Sequence, residues 1–325
     1  MLRKFTRPLA ALAGAVALGA MLASGPAQAQ IDGLKIIAPA GPGGGWDQTA
    51  RAMQEAMQSA GLARNVQVTN IPGAGGTIGL AQFATQSKGD AKSLMVGGLV
   101  MVGAVLTNKA PVTLDQVTPI ARLTGEYELI VVPAQSDIKS LADLVKKFKE
   151  NPRAVSWAGG SAGGTDHILV GLMAKALSID PKQVNYVPFS GGGEALAALL
   201  GGHVTAGVSG IGEFLGQIQA GKLRAIAVSS PSRLGFVDAP TLKEGGVDVE
   251  LVNWRGVMAP PNLKPQDRQA LIDAVDKMVA SPAWQDTLKK RDWMNVYLKG
   301  DEFASYLKQD RAQVETILKD IGLVQ

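Results

Sequence analysis

The residues whose spacing suits chemistry in this chain are glycines. Ala38-Pro39-Ala40-Gly41-Pro42-Gly43-Gly44-Gly45-Trp46-Asp47 joins an apolar run, Leu34 to Ala38, to a pattern that turns helical from Asp47. Such a strand-to-helix elbow aims backbone N–H groups at whatever lies before the helix, and the helix dipole favours an anion there. Three further elbows repeat the arrangement: Gly73-Ala74-Gly75-Gly76-Thr77, Gly159-Gly160-Ser161-Ala162-Gly163-Gly164-Thr165 and Ser190-Gly191-Gly192-Gly193-Glu194. One glycine elbow is an ordinary tight connection. Four in one chain, each opening a helix, describe an anion site. An exposed helix N-terminus favours a carboxylate by ~0.3–1 kcal/mol, and by up to ~2 when partly buried. Charge-assisted hydrogen bonds add roughly 1.5–3 kcal/mol each, enough together for the ~8 kcal/mol of micromolar binding without an arginine clamp.

The candidate contacts are therefore Ala40, Gly41, Gly43, Gly44, Gly45, Trp46 and Asp47 in the first elbow, with Gly73, Gly75, Gly76 and Thr77 in the second. The third supplies Ser161, Ala162, Gly163, Gly164, Thr165 and His167, and the fourth Gly191, Gly192, Gly193 and Glu194. Asp47, with Arg51 as its i+4 partner, is expected to fix the cradle, because a carboxylate repels an anion. Trp46 is expected to wall the cleft. Glu194 orders its loop or takes a ligand hydroxyl, and His167 is either a local hydrogen-bonding residue or a contact.

Other chemistries fare worse. Gly159-Gly160-Ser161-Ala162-Gly163 matches the G-x-S-x-G nucleophile elbow, which makes a secreted serine hydrolase using Ser161 the alternative from another class. That fold needs a histidine far downstream, and the two histidines are His167 and His203. A P-loop lacks its Gly-Lys-Ser/Thr, and no dinucleotide fingerprint is present. With no cysteine and two distant histidines, neither a metal nor a cofactor is expected. A sugar receptor would need aromatic platforms, and the four tyrosines and five tryptophans are scattered.

The elements that must position the elbows alternate. Leu34–Ala38, 66–70, 94–96, 120–123, 129–132, 155–158, 184–189, 204–209 and 225–229 read as strands, and the segments between several of them as helices. Ala50, Met53, Met57 and Ala60 fall on one helix face, and Leu169, Leu172, Met173 and Ala176 on another. Ser140 caps a helix over 141–149. The extended segment 249–259 holds Trp254, expected to pack at a crossing, and the tail from Pro265 reads as helical. Alternation of this kind implies βαβ crossovers and largely parallel sheets, with ligands beyond the carboxyl ends of the strands. The expected fold is α/β and two-lobed, a type II Venus-flytrap with two chain crossings. Residues 30–127 plus 256–325 form one lobe and 128–255 the other.

The first thirty residues stand apart. Arg3, Lys4 and Arg7 precede an apolar stretch, Leu9 to Met21, and Ala27-Gln28-Ala29 is a cleavage pattern, so residues 1–29 read as a secretory signal. Its removal takes the net charge from +4 to +1, which argues against nucleic-acid partners. The mature chain is expected in the periplasm, soluble and monomeric.

At Pro42 to Asp47 with Ala50-Arg51, at Asn70 to Gly76, at Ser161 to His167 and at Tyr186 to Phe189 with Gly191 to Glu194, the sequence resembles the solute-binding receptors of tripartite tricarboxylate transporters, the Bug family. Gly201-Gly202-His203-Val204 and Trp254-Arg255-Gly256 extend the likeness over essentially the whole mature chain. The resemblance implies a periplasmic binding fold closing on carboxylates held by backbone amides and waters. It also implies delivery to one large and one small integral membrane subunit. Gly-Gly-Gly-Trp-Asp and the third and fourth elbows are similar to the tricarboxylate-binding branch, so citrate or a related tricarboxylate is the expected ligand. A dicarboxylate or aromatic carboxylate is the alternative.

Overall fold

The computed structural model describes residues 30–325; residues 1–29, expected from the sequence to be a secretory signal, lie outside the described residues. In chain order the strands are β1 (Ile31–Asp32), β2 (Lys35–Ala38), β3 (Ala63–Arg64), β4 (Gln67–Asn70), β5 (Ser93–Gly98), β6 (Thr118–Pro133), β7 (Ser156–Gly159), β8 (Asn185–Pro188), β9 (Ala206–Gly210), β10 (Leu223–Val228), β11 (Val252–Ala259) and β12 (Met294–Lys299). The helices are α1 (Gly45–Ser59), α2 (Thr77–Gln86), α3 (Leu99–Thr107), α4 (Leu141–Glu150), α5 (Thr165–Ala176), α6 (Gly192–Leu200), α7 (Ile211–Gln219), α8 (Pro265–Ala280), α9 (Pro282–Arg291) and α10 (Gly300–Asp320).

β6 organises the molecule. Its first half pairs antiparallel with β11 on one side and β12 on the other; its second half pairs antiparallel with β9 and β10. Beyond β11 the strands continue β5, β2, β4, and beyond β9 they continue β7, β8. Two α/β lobes thus share one strand. The outer strands are parallel, as βαβ crossovers require, while the pairings around β6 are antiparallel, so the sheet is mixed rather than largely parallel.

The two apolar runs read as separate strands around Gly125 are this one strand of 16 residues. The chain crosses between lobes without a break because β6 is paired along both halves, with register shifts at Ile120 and Leu123. Ser229 ties this crossing to the second one. Its N–H donates to the Glu128 carbonyl, its Oγ accepts from the Glu128 N–H at 2.9 Å and donates to the Leu251 carbonyl at 2.7 Å.

The tail is not wholly helical. β12 interrupts it, its Val296, Tyr297 and Leu298 suiting a pleated, half-buried edge better than a helix. Trp254 is buried on β11, donates Nε1–H to Asp310 and meets Phe303 and Tyr306 edge-on, so it packs the crossing onto α10.

One apolar core lies under the first lobe, drawing on α1, α3, α8 and α10. Two others cover opposite faces of the sheet within the second lobe. Ala50, Met53 and Met57 are buried as the helical period requires, but Ala60 is the exposed C-cap of α1. α5 departs from the one-face pattern: Ala176 is exposed, while Ile168, Val170, Gly171 and Ala174 are buried beside Leu169 and Met173. The helix is covered on a second side by the other lobe, where Ile168 enters the first lobe's core and Gly171 lies against Ile321 of the C-terminal segment. Among the described residues no helix is long and apolar enough to cross a membrane.

Candidate functional site

All four elbows sit at strand-to-helix turns. Two more, β5 to α3 through Gly97-Gly98 and β9 to α7 through Gly210, give three such turns in each lobe. The six helices start after Gly44, Gly76, Gly98, Gly164, Gly191 and Gly210, and none of these N-cap positions makes a side-chain cap hydrogen bond. By contrast α4, away from the turns, has a capping box built by Ser140 and Asp143, and α9 is capped by Ser281. First-turn N–H groups that no side chain caps are the donors an anion needs.

Acidic residues in the first turns hold the loops from behind. Asp47 is buried, and its Oδ2 accepts from the Gly43 N–H at 2.9 Å; Arg51 Nε and Asn70 Nδ2 also donate to it. Burial works against its charge, but these hydrogen bonds hold its carboxyl below the usual range. Asn70 also donates to the Ala40 carbonyl, which ties the first elbow to the strand feeding the second. In the third elbow Asp166 accepts from the Gly160 N–H at 2.6 Å, and in the fourth Glu194 accepts from the Ser190 N–H at 3.1 Å. Asp47 and Glu194 therefore have the loop-ordering geometry expected of them.

Trp46 is buried with its ring beneath the second elbow, where a β-carbon on Gly76 would crowd the indole. Gly75 and Gly76 both have positive φ, which lets the backbone fold closely over that ring. Thr77 donates Oγ1–H to the Ala74 carbonyl. His167 lies parallel on Tyr186 at 4.1 Å between centroids, and its Nδ1 accepts from the Gly163 N–H. Burial pushes the ring down to about 4, so it is neutral with Nε2 as the donor. Tyr186 donates to the Gly160 carbonyl at 2.8 Å. Thr165 is buried with Oγ1 unpartnered.

The turns of the two lobes meet. A β-carbon on Gly75 would lie 3.4 Å from that of Ser161, and one on Gly164 would lie 3.1 Å from Val100 of α3. Gly103 of α3 has room for no side chain at all, because the Gly163 carbonyl occupies the space. Thr107 lies against Gly163 and beside Ala162. Gly41 and Ala40 are half-buried before α1, while Gly193 and Glu194 are exposed on α6. The second and third elbows thus touch, and the first faces the α7 turn, where Gln48 approaches Gly212.

Beneath them runs a buried polar floor that the sequence reading missed. Thr124, Glu126 and Glu128 alternate along one face of β6, and cross-strand register sets Arg255 beside Thr124 and Asn253 beside Glu126. Arg255 pairs with Glu126 and presses its guanidinium on Gly45. Glu213 of α7 lies against Gly192, and Asp166 against Gly159. The first, third and fourth elbows each rest on one of these side chains. Burial, reinforced by neighbouring carboxylates, raises Glu128 well above the usual carboxylate range, Asp166 to about 6 and Glu213 to about 7.

The model of the tripartite tricarboxylate transporter family receptor matches residues 49–323. The chain belongs to this receptor family. A Cupriavidus necator protein described as "UPF0065 protein in gbd 5′region" is 28% identical over 332 residues, covering 99% of this chain and 98% of its own. Among solved structures the periplasmic binding protein BugD superposes with a TM-score of 0.81 at 24% identity, over 90% of this chain and 98% of its own. MatC from Rhodopseudomonas palustris, with bound malate, gives 0.77 at 22% identity over 89% and 99%. These likenesses show the two-lobed binding fold. The family is one of receptors, not enzymes, which sets aside a hydrolase built on Ser161.

Proposed function

We propose that this receptor captures a small polycarboxylate between its two lobes, with citrate or a related tricarboxylate the first choice and a dicarboxylate such as malate the second. The observation that carries the reading is the set of six glycine N-caps without side-chain capping, three from each lobe. Backbone donors at helix N-termini bind carboxylates without a cationic side chain. The candidate contacts remain those named from the sequence, with the N-terminal turns of α3 and α7 added. Malate bound to a protein of the same fold supports the dicarboxylate arm.

In this reading the lobes comprise residues 30–127 with 256–325, and 128–255. Residues 1–29 direct export and are cleaved near Ala29, and the mature protein is a periplasmic monomer. Binding favours the closed lobes by its differential affinity for them. The closed surface is then presented to the large and small membrane subunits of the transporter. Calorimetric titration of ligand-free protein with citrate, malate, succinate, glutamate, terephthalate and neutral sugars tests the proposal. Saturable binding of a carboxylate is expected; saturation by a sugar alone, or by nothing, refutes it.

A further inference from the structure

The floor beneath the elbows holds more carboxylates than cations. Glu126 and Glu128 come from β6, Asp166 from the first turn of α5 and Glu213 from the first turn of α7. Arg255 of β11 faces them and is taken by Glu126. Tyr186 of β8 approaches Asp166 near Gly159, while the neutral His167 turns its Nδ1 to Gly163. From α1 come the uncharged Gly45 and Gln48, and behind Arg255 stands the Trp293 ring with Arg291 also against it. Three carboxylates are left without a counter-charge.

Two observations say what the counter-charge is. Asp166, Glu213 and Glu126 lie directly on Gly159, Gly192 and Gly210, where even a β-carbon would overlap them, and among the described residues no group of three or more such side chains is arranged to hold a metal ion. In addition, both Glu128 oxygens, Glu213 Oε2, Asn253 Oδ1 and Thr124 Oγ1 are buried and unpartnered. Buried carboxylate and amide oxygens of this kind need donors, and a protonated carboxyl supplies one. Burial also raises three of these acids toward neutrality.

We propose that this floor is a proton store shared by the two lobes, filled as they close on an anionic ligand, so that carboxylate binding and proton uptake are one coupled event. The inference rests on the carboxylate reading. First-lobe groups cover the store at Gly45 and Gln48, and the elbows that would hold the ligand rest on it through Arg255, Asp166 and Glu213. An ionised floor repels a bound carboxylate; a protonated one does not. Linkage then makes affinity fall by up to about tenfold per pH unit for each proton taken up.

The test has two arms. Carboxyl-carbon NMR of the ligand-free protein, assigned with Glu128→Gln and Glu213→Gln, reads the protons directly; at least one of these two carboxyls is expected to stay protonated at about pH 6. Calorimetry with malate or succinate, both ionised above about pH 6, in buffers of different ionisation heat reads the coupling. Net proton uptake is expected, with a dissociation constant rising about tenfold or more between about pH 6.5 and 8.5, and a shallower slope in Glu213→Gln. A flat affinity with no proton uptake overturns the coupling, and ordinary carboxylate titration of both glutamates overturns the store. If no carboxylate in the panel binds, the functional reading falls and the coupling falls with it. The NMR result then decides the store alone.

Discussion

At the scale of single residues, the acids of this receptor do different work according to what faces them. Asp47 receives three donors, which hold its carboxyl below the usual range; Glu128 is buried, and burial among other carboxylates pushes its carboxyl well above it. Replacing Asp47 by alanine strands the Gly43 N–H and one Asn70 Nδ2 hydrogen, the other staying on the Ala40 carbonyl, while Arg51, half exposed, turns to water. The expected loss is about 2 kcal/mol in urea unfolding, together with weaker ligand binding because the first elbow loosens. Arg255 behaves differently. Arg255→Gln leaves Glu126 buried without its partner, and removing one member of a buried pair costs about 3–5 kcal/mol. Urea titrations check both variants, and a loss under about 1 kcal/mol in Arg255→Gln would contradict the account of Arg255.

At the scale of elements, α3 of one lobe and the third elbow of the other meet at Gly103, whose Cα faces the Gly163 carbonyl. Gly103→Leu should keep the lobes apart, lowering carboxylate affinity at least about tenfold while leaving unfolding stability within about 1 kcal/mol. Small-angle scattering should then show a larger radius of gyration than wild type; an unchanged radius with full affinity would refute the contact's role. The four elbows were legible because runs of glycine between an apolar stretch and a helical period have few other uses. The two further turns were not, since Gly97-Gly98 merges with the apolar run of α3, and Gly210 and Gly212 are isolated. β12 was hidden between two strongly helical segments. The polar floor left one signal unread, the alternation of Thr124, Glu126 and Glu128 between two apolar runs of one strand. Its partner Arg255 lies 129 positions from Glu126, and no local pattern reaches that far.

At the scale of the whole molecule, the raised acids make stability depend on pH. Burial raises Asp166 to about 6 and Glu213 to about 7, so between about pH 4.5 and 7 the folded chain binds more protons than the unfolded chain. Stability should therefore fall as pH rises through that window. Glu213 alone contributes on the order of 3 kcal/mol. Urea midpoints at about pH 5.5 and 8 check the sign, and Glu213→Gln should flatten the profile. One strand crossing both lobes, tied by Ser229 to the returning chain, keeps the halves in register while the turns meet. The central claim is that these turns grip a carboxylate. Its most direct test is calorimetry of the ligand-free receptor against the carboxylate and sugar panel. The account predicts one saturable carboxylate site with a dissociation constant of about 10 μM or tighter, and binding of a neutral sugar in preference to every carboxylate would contradict it.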